Sequence, residues 1–320
     1  MKRRPQALDD LGEHAWIARA VRRLPRGRVT LLGPGDDAAA IRSTRRPLLL
    51  TTDTLVEGVH FELGWESPAS LGRRALRVNL SDVAAMGGRP LAALVAVAAP
   101  ARLPAAVLDQ LMHGLAGDAR RAGVDVVGGN LAAARQLAIT VTVVGESGRR
   151  LVTRGGARPG DDVWVTGALG GDGAAVRALL AGRRAIRPPV PIRLGAGRLL
   201  AEVVRAMIDV SDGLVQDLGH VCRSSHVAAE VDTLSVPVAA ACRRALGAGA
   251  ARFAATAGED YELLCTAPPR SRDRLARLAP RLGCRLTRIG RIVAGRPVVR
   301  LLDEHGRSIP LRRAGFDHFR

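Results

Sequence analysis

Lysine is almost missing from this 320-residue chain: Lys2 is the only one. A P-loop holds terminal phosphates with the lysine of Gly-Lys-Ser/Thr, a protein kinase needs a strand lysine, and a Schiff-base enzyme needs an amine nucleophile. Lys2, among the first few residues, is a poor choice for any of these. Aromatic residues make up only 2%, so the stacking platforms that grip single-stranded nucleic acid are nearly absent. Apolar filling must come mainly from Ala, Val and Leu. The four cysteines, Cys222, Cys242, Cys265 and Cys284, form no C-x-x-C pair. That disfavours zinc ribbons and thioredoxin-like chemistry and reads as buried thiols in a reducing compartment. No G-x-S-x-G or H-E-x-x-H occurs, which disfavours a hydrolase elbow and a zincin. Apolar runs such as Leu91–Ala99 are too short to span a bilayer. Met1-Lys2-Arg3-Arg4-Pro5 leads into no apolar signal core. The expectation is a soluble cytoplasmic protein with no membrane partner.

What is present is globular in character: 47% hydrophobic and 24% charged residues. Forty-eight Lys and Arg against 30 Asp and Glu leave a net charge of +18. The arginines are scattered, as at Arg42, Arg120, Arg205 and Arg300, rather than gathered in one block. With so much Ala and Gly alongside, they read as compositional bias rather than a specific nucleic-acid surface. The field they create still attracts phosphorylated ligands.

Periodicity predicts alternating strands and helices. Pro47–Asp53 reads as a buried strand, and 70–86 as a helix stopped by Gly87-Gly88. A strand follows at 91–98, a helix from near Pro104 to Gly123, and strands at 124–127 and 137–144. The turn-rich stretch from Thr153 to Asp161 marks a domain junction. Beyond it the spacing predicts strands at 163–166, 227–232, 260–266, 285–293 and 297–303. Helices are expected near 172–181, 192–206 and 213–223. The fold class is mixed α/β (α+β), with domains at 1–152 and 153–320.

The aspartates carry the chemistry. Asp36-Asp37 follows Gly33-Pro34-Gly35; Asp53 ends a buried strand after Thr51-Thr52; Asp82 lies on a helix beside Asn79 and Ser81. Asp209 and Asp212 bracket Ser211 directly after Met207-Ile208. Acids at strand ends and beside glycine turns face a cleft, and carboxylates without His or Cys partners suit a hard cation such as Mg²⁺ rather than zinc. Taken singly, an aspartate fits an N-cap or Asx-turn about as well, but Asp53 and the Asp209/Asp212 pair favour the cleft because each interrupts or ends a buried strand. Gly128-Gly129-Asn130 and Gly170-Gly171-Asp172-Gly173 could each present N–H groups to phosphate, and plain turns are the commoner reading. Neither matches a dinucleotide-binding fingerprint.

The ordered set Gly35-Asp36-Asp37-Ala38, Thr52-Asp53-Thr54-Leu55-Val56-Glu57-Gly58-Val59-His60-Phe61, Asn79-Leu80-Ser81-Asp82, Val127-Gly128-Gly129-Asn130, Asp209-Val210-Ser211-Asp212-Gly213-Leu214, Gly258-Glu259-Asp260-Tyr261-Glu262-Leu263 and Gly315-Phe316-Asp317-His318-Phe319 resembles the thiamine-monophosphate kinase family. That family belongs to the aminoimidazole ribonucleotide synthetase superfamily, and the likeness runs from about residue 30 to the C-terminus.

The resemblance implies ATP-dependent phosphorylation of thiamine monophosphate and a homodimer whose N-terminal domains pair through their sheets. It implies several Mg²⁺ ions held by Asp37, Thr51, Thr52, Asp53, Asp82, Asp209 and Asp212, with Asp36 and Asn130 as further ligands. ATP would meet Gly129, Asn130, Arg154 and Ser211; the acceptor would meet His60, Glu259 and Phe316. Many family members carry Asp where this chain has Asn130, which offers a neutral oxygen with one negative charge fewer. A sister enzyme acting on another acceptor is the nearest rival. A selenophosphate synthetase usually needs a reactive cysteine near its N-terminus, and none precedes Cys222. A basic nucleic-acid binder would explain the charge but not the strand aspartates. A non-catalytic nucleotide-binding subunit has Asn130 as its only hint.

Overall fold

The computed structural model describes residues 7, 11, 13–24, 29–32, 39–311 and 315–316. The chain groups into two compact units, residues 1–80 with 90–146, and residues 81–89 with 147–320.

The first unit contains α1 (Glu13–Val21), β1 (Thr30–Leu32), β2 (Ala40–Ile41), β3 (Leu48–Val56), most of α2 (Pro68–Ala85), β4 (Arg89–Ala99), α3 (Ala105–Ala122), β5 (Asp125–Ala133) and β6 (Ala138–Glu146). Its main sheet has the order β3-β6-β4-β5. β3 and β6 run antiparallel, β4 and β5 parallel. In α3 the buried residues Leu108, Leu111, Met112, Leu115 and Ala119 recur at helical spacing and make one apolar face. Gly123, in the left-handed region, ends the helix by returning its N–H to Arg120 O. β6 alternates strictly, with Ile139, Val141 and Val143 buried. On the opposite face Thr52 pairs with Thr142 and Thr54 with Thr140, their hydroxyl oxygens 3.0 and 2.9 Å apart. The buried Asp125 carboxylate anchors β1 by accepting the N–H groups of Val29 and Thr30.

Two expectations need correction here. β3 does not end at Asp53: Thr54, Leu55 and Val56 stay paired with Thr140, Ile139 and Ala138, so Asp53 is mid-strand. Gly128-Gly129-Asn130 is no turn; it lies inside β5, paired with Leu94, Val95 and Ala96 of β4 after a register shift. Backbone pairing overrides the local preference of glycine for turns.

The second unit contains β7 (Asp162–Thr166), α4 (Gly171–Leu180), α5 (Leu194–Ala201), β8 (Ala206–Asp209), α6 (Leu214–Ser225), β9 (Ala228–Asp232), α7 (Ala240–Leu246), α8 (Ala250–Thr256), β10 (Leu263–Ala267), α9 (Arg272–Leu278), β11 (Leu286–Val293), β12 (Val299–Leu302) and β13 (Ser308–Ile309). Seven strands form one sheet in the order β13-β12-β9-β11-β7-β10-β8, antiparallel except for β12 beside β9. Its core gathers Val163, Val165, Ile208, Leu214, Leu218, Val231, Leu264 and Ile289. Helix 192–206 is shorter than its spacing predicts, because Ala206 already belongs to β8. The short helices α7, α8 and α9 have no counterpart in the periodicity reading; seven residues make too few turns to show a stripe. Cys222, Cys242 and Cys265 are buried, Cys284 is half-buried, and none is paired. Among the described residues no helix is long and apolar enough to cross a membrane.

Candidate functional site

Within the second unit, three loops of the chain meet. β8 delivers Asp209 to a buried position at its C-terminal end, and the chain turns through Ser211-Asp212-Gly213 before α6 begins. The loop Gly258–Glu262 lies against this turn. Glu259 N–H donates to Ser211 O at 2.6 Å, Tyr261 N–H to Val210 O at 2.7 Å, and Val210 N–H to Glu262 O at 2.8 Å. Phe316 N–H donates to Asp212 O at 3.0 Å. Ser81, in the last turn of α2, donates its hydroxyl to Asp209 Oδ2 at 2.7 Å. Asp82 is the next residue on that helix. Ser211, Asp212, Glu259 and Phe316 are thus joined by main-chain contacts, and the Asp209 side chain ties Ser81 to the end of β8 two residues before Ser211.

This convergence is held under strain. Glu259 and Tyr261 both adopt positive φ, 65° and 51°, although neither is glycine. Each such residue costs about 1–2 kcal/mol. Gly258 admits the close approach, since a Cβ there would lie 2.4 Å from Ser211 O. Buried ionic contacts compensate. Arg187, with no exposed side-chain surface, forks onto Asp172 at 2.6 and 3.1 Å and reaches Glu259 as well. Arg193 forks onto Glu262 at 2.6 and 2.7 Å. Asp260 is buried with its carboxylate on Gly170 N–H at 2.8 Å. Burial holds its pKa well above the usual carboxylate range, and the nearby Asp172 and Glu262 push the same way.

The acids are crowded. Asp217, on the first turn of α6, accepts the N–H groups of Asp212 and Gly213 at 3.1 and 3.0 Å. Its pKa is pushed up to about 8, first by burial and then by the charges of Asp209 and Asp212. Asp212, Asp217 and His220 can each bring one ligand atom within 4.8 Å of the others. His220 has its pKa lowered by burial and by Arg223 and Arg154, against an upward pull from Asp212. A largely carboxylate oxygen set that repels itself fits a hard divalent cation, which would relieve that repulsion. Asp217 and His220 were not singled out by sequence reasoning. Their signal was their i, i+3 spacing on the helix that follows Asp212.

The remaining expected residues lie in the first unit. Strand alternation separates Thr51-Thr52-Asp53: Thr51 and Asp53 share the side of buried Leu49 and Leu55, whereas Thr52 turns to the other face, where its hydroxyl meets Thr142. Three consecutive side chains therefore do not point one way. His60 Nδ1 accepts Val56 N–H at 3.1 Å, which puts the proton of the neutral ring on Nε2. Gly129 and Asn130 are exposed on β5. They border a cavity of about 540 Å³ walled by Trp16, Ile17, Met112 and Val126. Arg154 is exposed in the second unit. Asp36 and Asp37 lie outside the described residues.

Comparison with known proteins gives this geometry a family. The N-terminal domain profile of AIR synthase related protein matches residues 35–147, and the C-terminal domain profile matches 158–302. The thiamine-monophosphate kinase of Mycobacterium tuberculosis is 38% identical over 272 residues, 80% of this chain and 81% of that protein. The chain belongs to the thiamine-monophosphate kinase family. The crystal structure of the Stenotrophomonas maltophilia K279a kinase shares 36% identity and superposes with a TM-score of 0.82, covering 93% of this chain and 98% of that one. The structure of AaThiL complexed with AMPPCP and TMP is 30% identical, with a TM-score of 0.76 over 98% of this chain and 99% of that one. The mixed α/β fold with two family domains agrees with the sequence expectation.

Proposed function

We propose that this protein transfers the γ-phosphoryl group of ATP to thiamine monophosphate, giving thiamine diphosphate and ADP. A terminal phosphate oxygen of thiamine monophosphate attacks the γ-phosphorus in line, a new P–O bond forms, and the bond to the ADP oxygen breaks. That oxygen is already anionic, so no general base is required. Phosphoryl transfer asks the protein for positioning and for neutralisation of developing charge. Mg²⁺ ions held by Asp82, Asp209 and Asp212 in the second unit, and by Asp36, Asp37, Thr51, Asp53 and Asn130 in the first, would supply that neutralisation; Thr52, turned to the other strand face, is left out of that set.

The chain's own residues do the rest. Arg154 and Ser211 orient the nucleotide, with Gly129 and Asn130 beside an apolar cavity suited to a nucleobase. Phe316, 48% exposed, offers an aromatic face to the thiamine ring system, and Glu259 and His60 supply polar contacts. The observation that carries the reading is the meeting of Asp209, Ser211, Asp212, Glu259 and Phe316 in one part of the second unit; a member of the family, AaThiL, is complexed with AMPPCP and TMP. The same reading sets a domain boundary near residue 152, with metal and nucleotide residues on both sides of it. It pairs two copies through the sheet face of the first unit on which Leu48 and Leu50 are 52% and 71% exposed. A reducing cytoplasm suits the unpaired thiols.

The test is ADP release with thiamine monophosphate, thiamine and unrelated phosphorylated acceptors, followed by stereochemistry with a chiral γ-phosphorothioate. Acceptor-dependent release confined to thiamine monophosphate, with inversion, is expected. Release independent of the acceptor, or retention, would overturn the reading.

A further inference from the structure

Gln216 occupies the first turn of α6, four residues after Asp212. Its Nε2 lies 3.0 Å from Asp212 Oδ2 and 2.8 Å from the carbonyl oxygen of Phe316. Both partners are acceptors with no hydrogen to give, so the amide can face them only with its two N–H donors. Phe316 completes a closed ring of contacts by donating its own N–H to Asp212 O. Gly315 makes this docking feasible: a Cβ there would sit 2.5 Å from Asp212 O and 2.7 Å from Gln216 Cβ. A side chain at 315 would lift the segment away.

We propose that Gln216 is a positioning residue that couples the Gly315–Phe316 segment to the carboxylate of Asp212. A carboxylate turns broadly about its last torsion, and the Gln216 amide fixes that rotation. The same amide holds the main chain that presents the Phe316 ring. A ligand seated on Phe316 and a cation held by Asp212 therefore act on one hydrogen-bonded unit, and disturbing either end loosens the other. The identities of the two ligands rest on the kinase reading above; the coupling itself does not.

Gln216 is only half-buried, so substitution there leaves the core of α6 in place. Gln216→Met removes both donors at similar length. Gln216→Glu keeps the shape but sets a carboxylate against a carboxylate and a carbonyl. Three readouts are made on the full chain. In Gln216→Met, hydrogen exchange at the Phe316 amide should rise about tenfold without any ligand, the size expected for a lost charge-assisted hydrogen bond. Calorimetric Mn²⁺ affinity should fall by about the same factor. KM for thiamine monophosphate should rise several-fold while kcat changes less. Gln216→Glu should exceed Gln216→Met in exchange and in KM, while the negative charge it adds beside Asp212 opposes the loss of Mn²⁺ affinity. A change in thermal midpoint with exchange and Mn²⁺ binding unaltered would reduce Gln216 to a helix-capping residue and overturn the proposal. So would, in Gln216→Met, a change at the Phe316 amide without one in Mn²⁺ affinity. Should the wild-type chain fail to phosphorylate thiamine monophosphate, the kinase reading falls, and exchange with Mn²⁺ binding still decides the coupling.

Discussion

The two units hold their expected functional residues by opposite means. In the first, Thr51, Thr52, Asp53, Gly129 and Asn130 sit in regular strands, where pairing with β6 and β4 sets every direction and asks no backbone strain. In the second, Asp212, Glu259 and Phe316 sit on irregular segments, where Glu259 itself and the nearby Tyr261 take left-handed conformations. Those segments lean on the buried Arg187 and the half-buried Arg193. A strand position can lose its side chain and keep its place. A strained loop depends on partners, so damage there should spread from chemistry into stability.

The sharpest test of this contrast compares Asp53→Ala with Asp212→Ala. Each removes a carboxylate expected to hold Mg²⁺, and each should lower kcat by about a thousandfold or more. Asp53→Ala should shift the unfolding free energy less, because the β3 ladder around it is main-chain. Asp212→Ala should shift it more, since Gln216 and the Phe316 segment lose an anchor. ADP release and urea unfolding measure the two quantities. Wild-type turnover in both variants would remove these acids from the site.

Next in size is the cost of unpairing a buried charge. Arg187→Gln takes a buried cation away from Asp172 and Glu259 and should destabilise the chain by about 3–5 kcal/mol. Its counterpart in the first unit is Arg121, 73% exposed and 3.0 Å from Asp118. Arg121→Gln should change stability by at most about 1 kcal/mol. Comparable losses from the two would mean that the Gly258–Glu262 loop does not lean on Arg187.

The same contrast governs what the sequence revealed. Strand and helix segments with clear periods were legible, including α3, β6 and α6, because one buried face imposes a repeat. The grouping of Asp209 with Asp212 was legible too, as acids directly after an apolar strand. The length of β3 was misjudged because an acid mid-strand resembles an end, and only pairing with β6 keeps Asp53 inside. Gly128-Gly129 misled in the same way, since nothing local tells that β4 supplies the partner. The tertiary contacts of Arg187 and Gln216 leave no period at all: their partners lie 72 and 100 residues away.

The smallest expected effect concerns Asp217, whose acidity belongs to the loop side of the comparison. Folded, without cation, it keeps its proton up to about pH 8, whereas its ordinary pKa is 3.8. Between those values the folded chain binds more protons than the unfolded one, so unfolding free energy falls as pH rises from about 4 to 8. The stability is complete below the lower value and gone above the upper one. Relaxation of the site should mute the effect to about 1–2 kcal/mol between pH 5 and pH 8. Asp217→Asn keeps an acceptor for the N–H groups of Asp212 and Gly213 but cannot ionise, so its profile over this range should be flatter. Mg²⁺ should flatten the wild-type profile as well, because a cation beside Asp209 and Asp212 favours the charged form. Urea midpoints from pH 5 to 8, in EDTA and in Mg²⁺, measure both. A wild-type slope that survives in Asp217→Asn and ignores Mg²⁺ would place the responsible proton elsewhere, and the crowding of acids at the start of α6 would then have no bearing on stability.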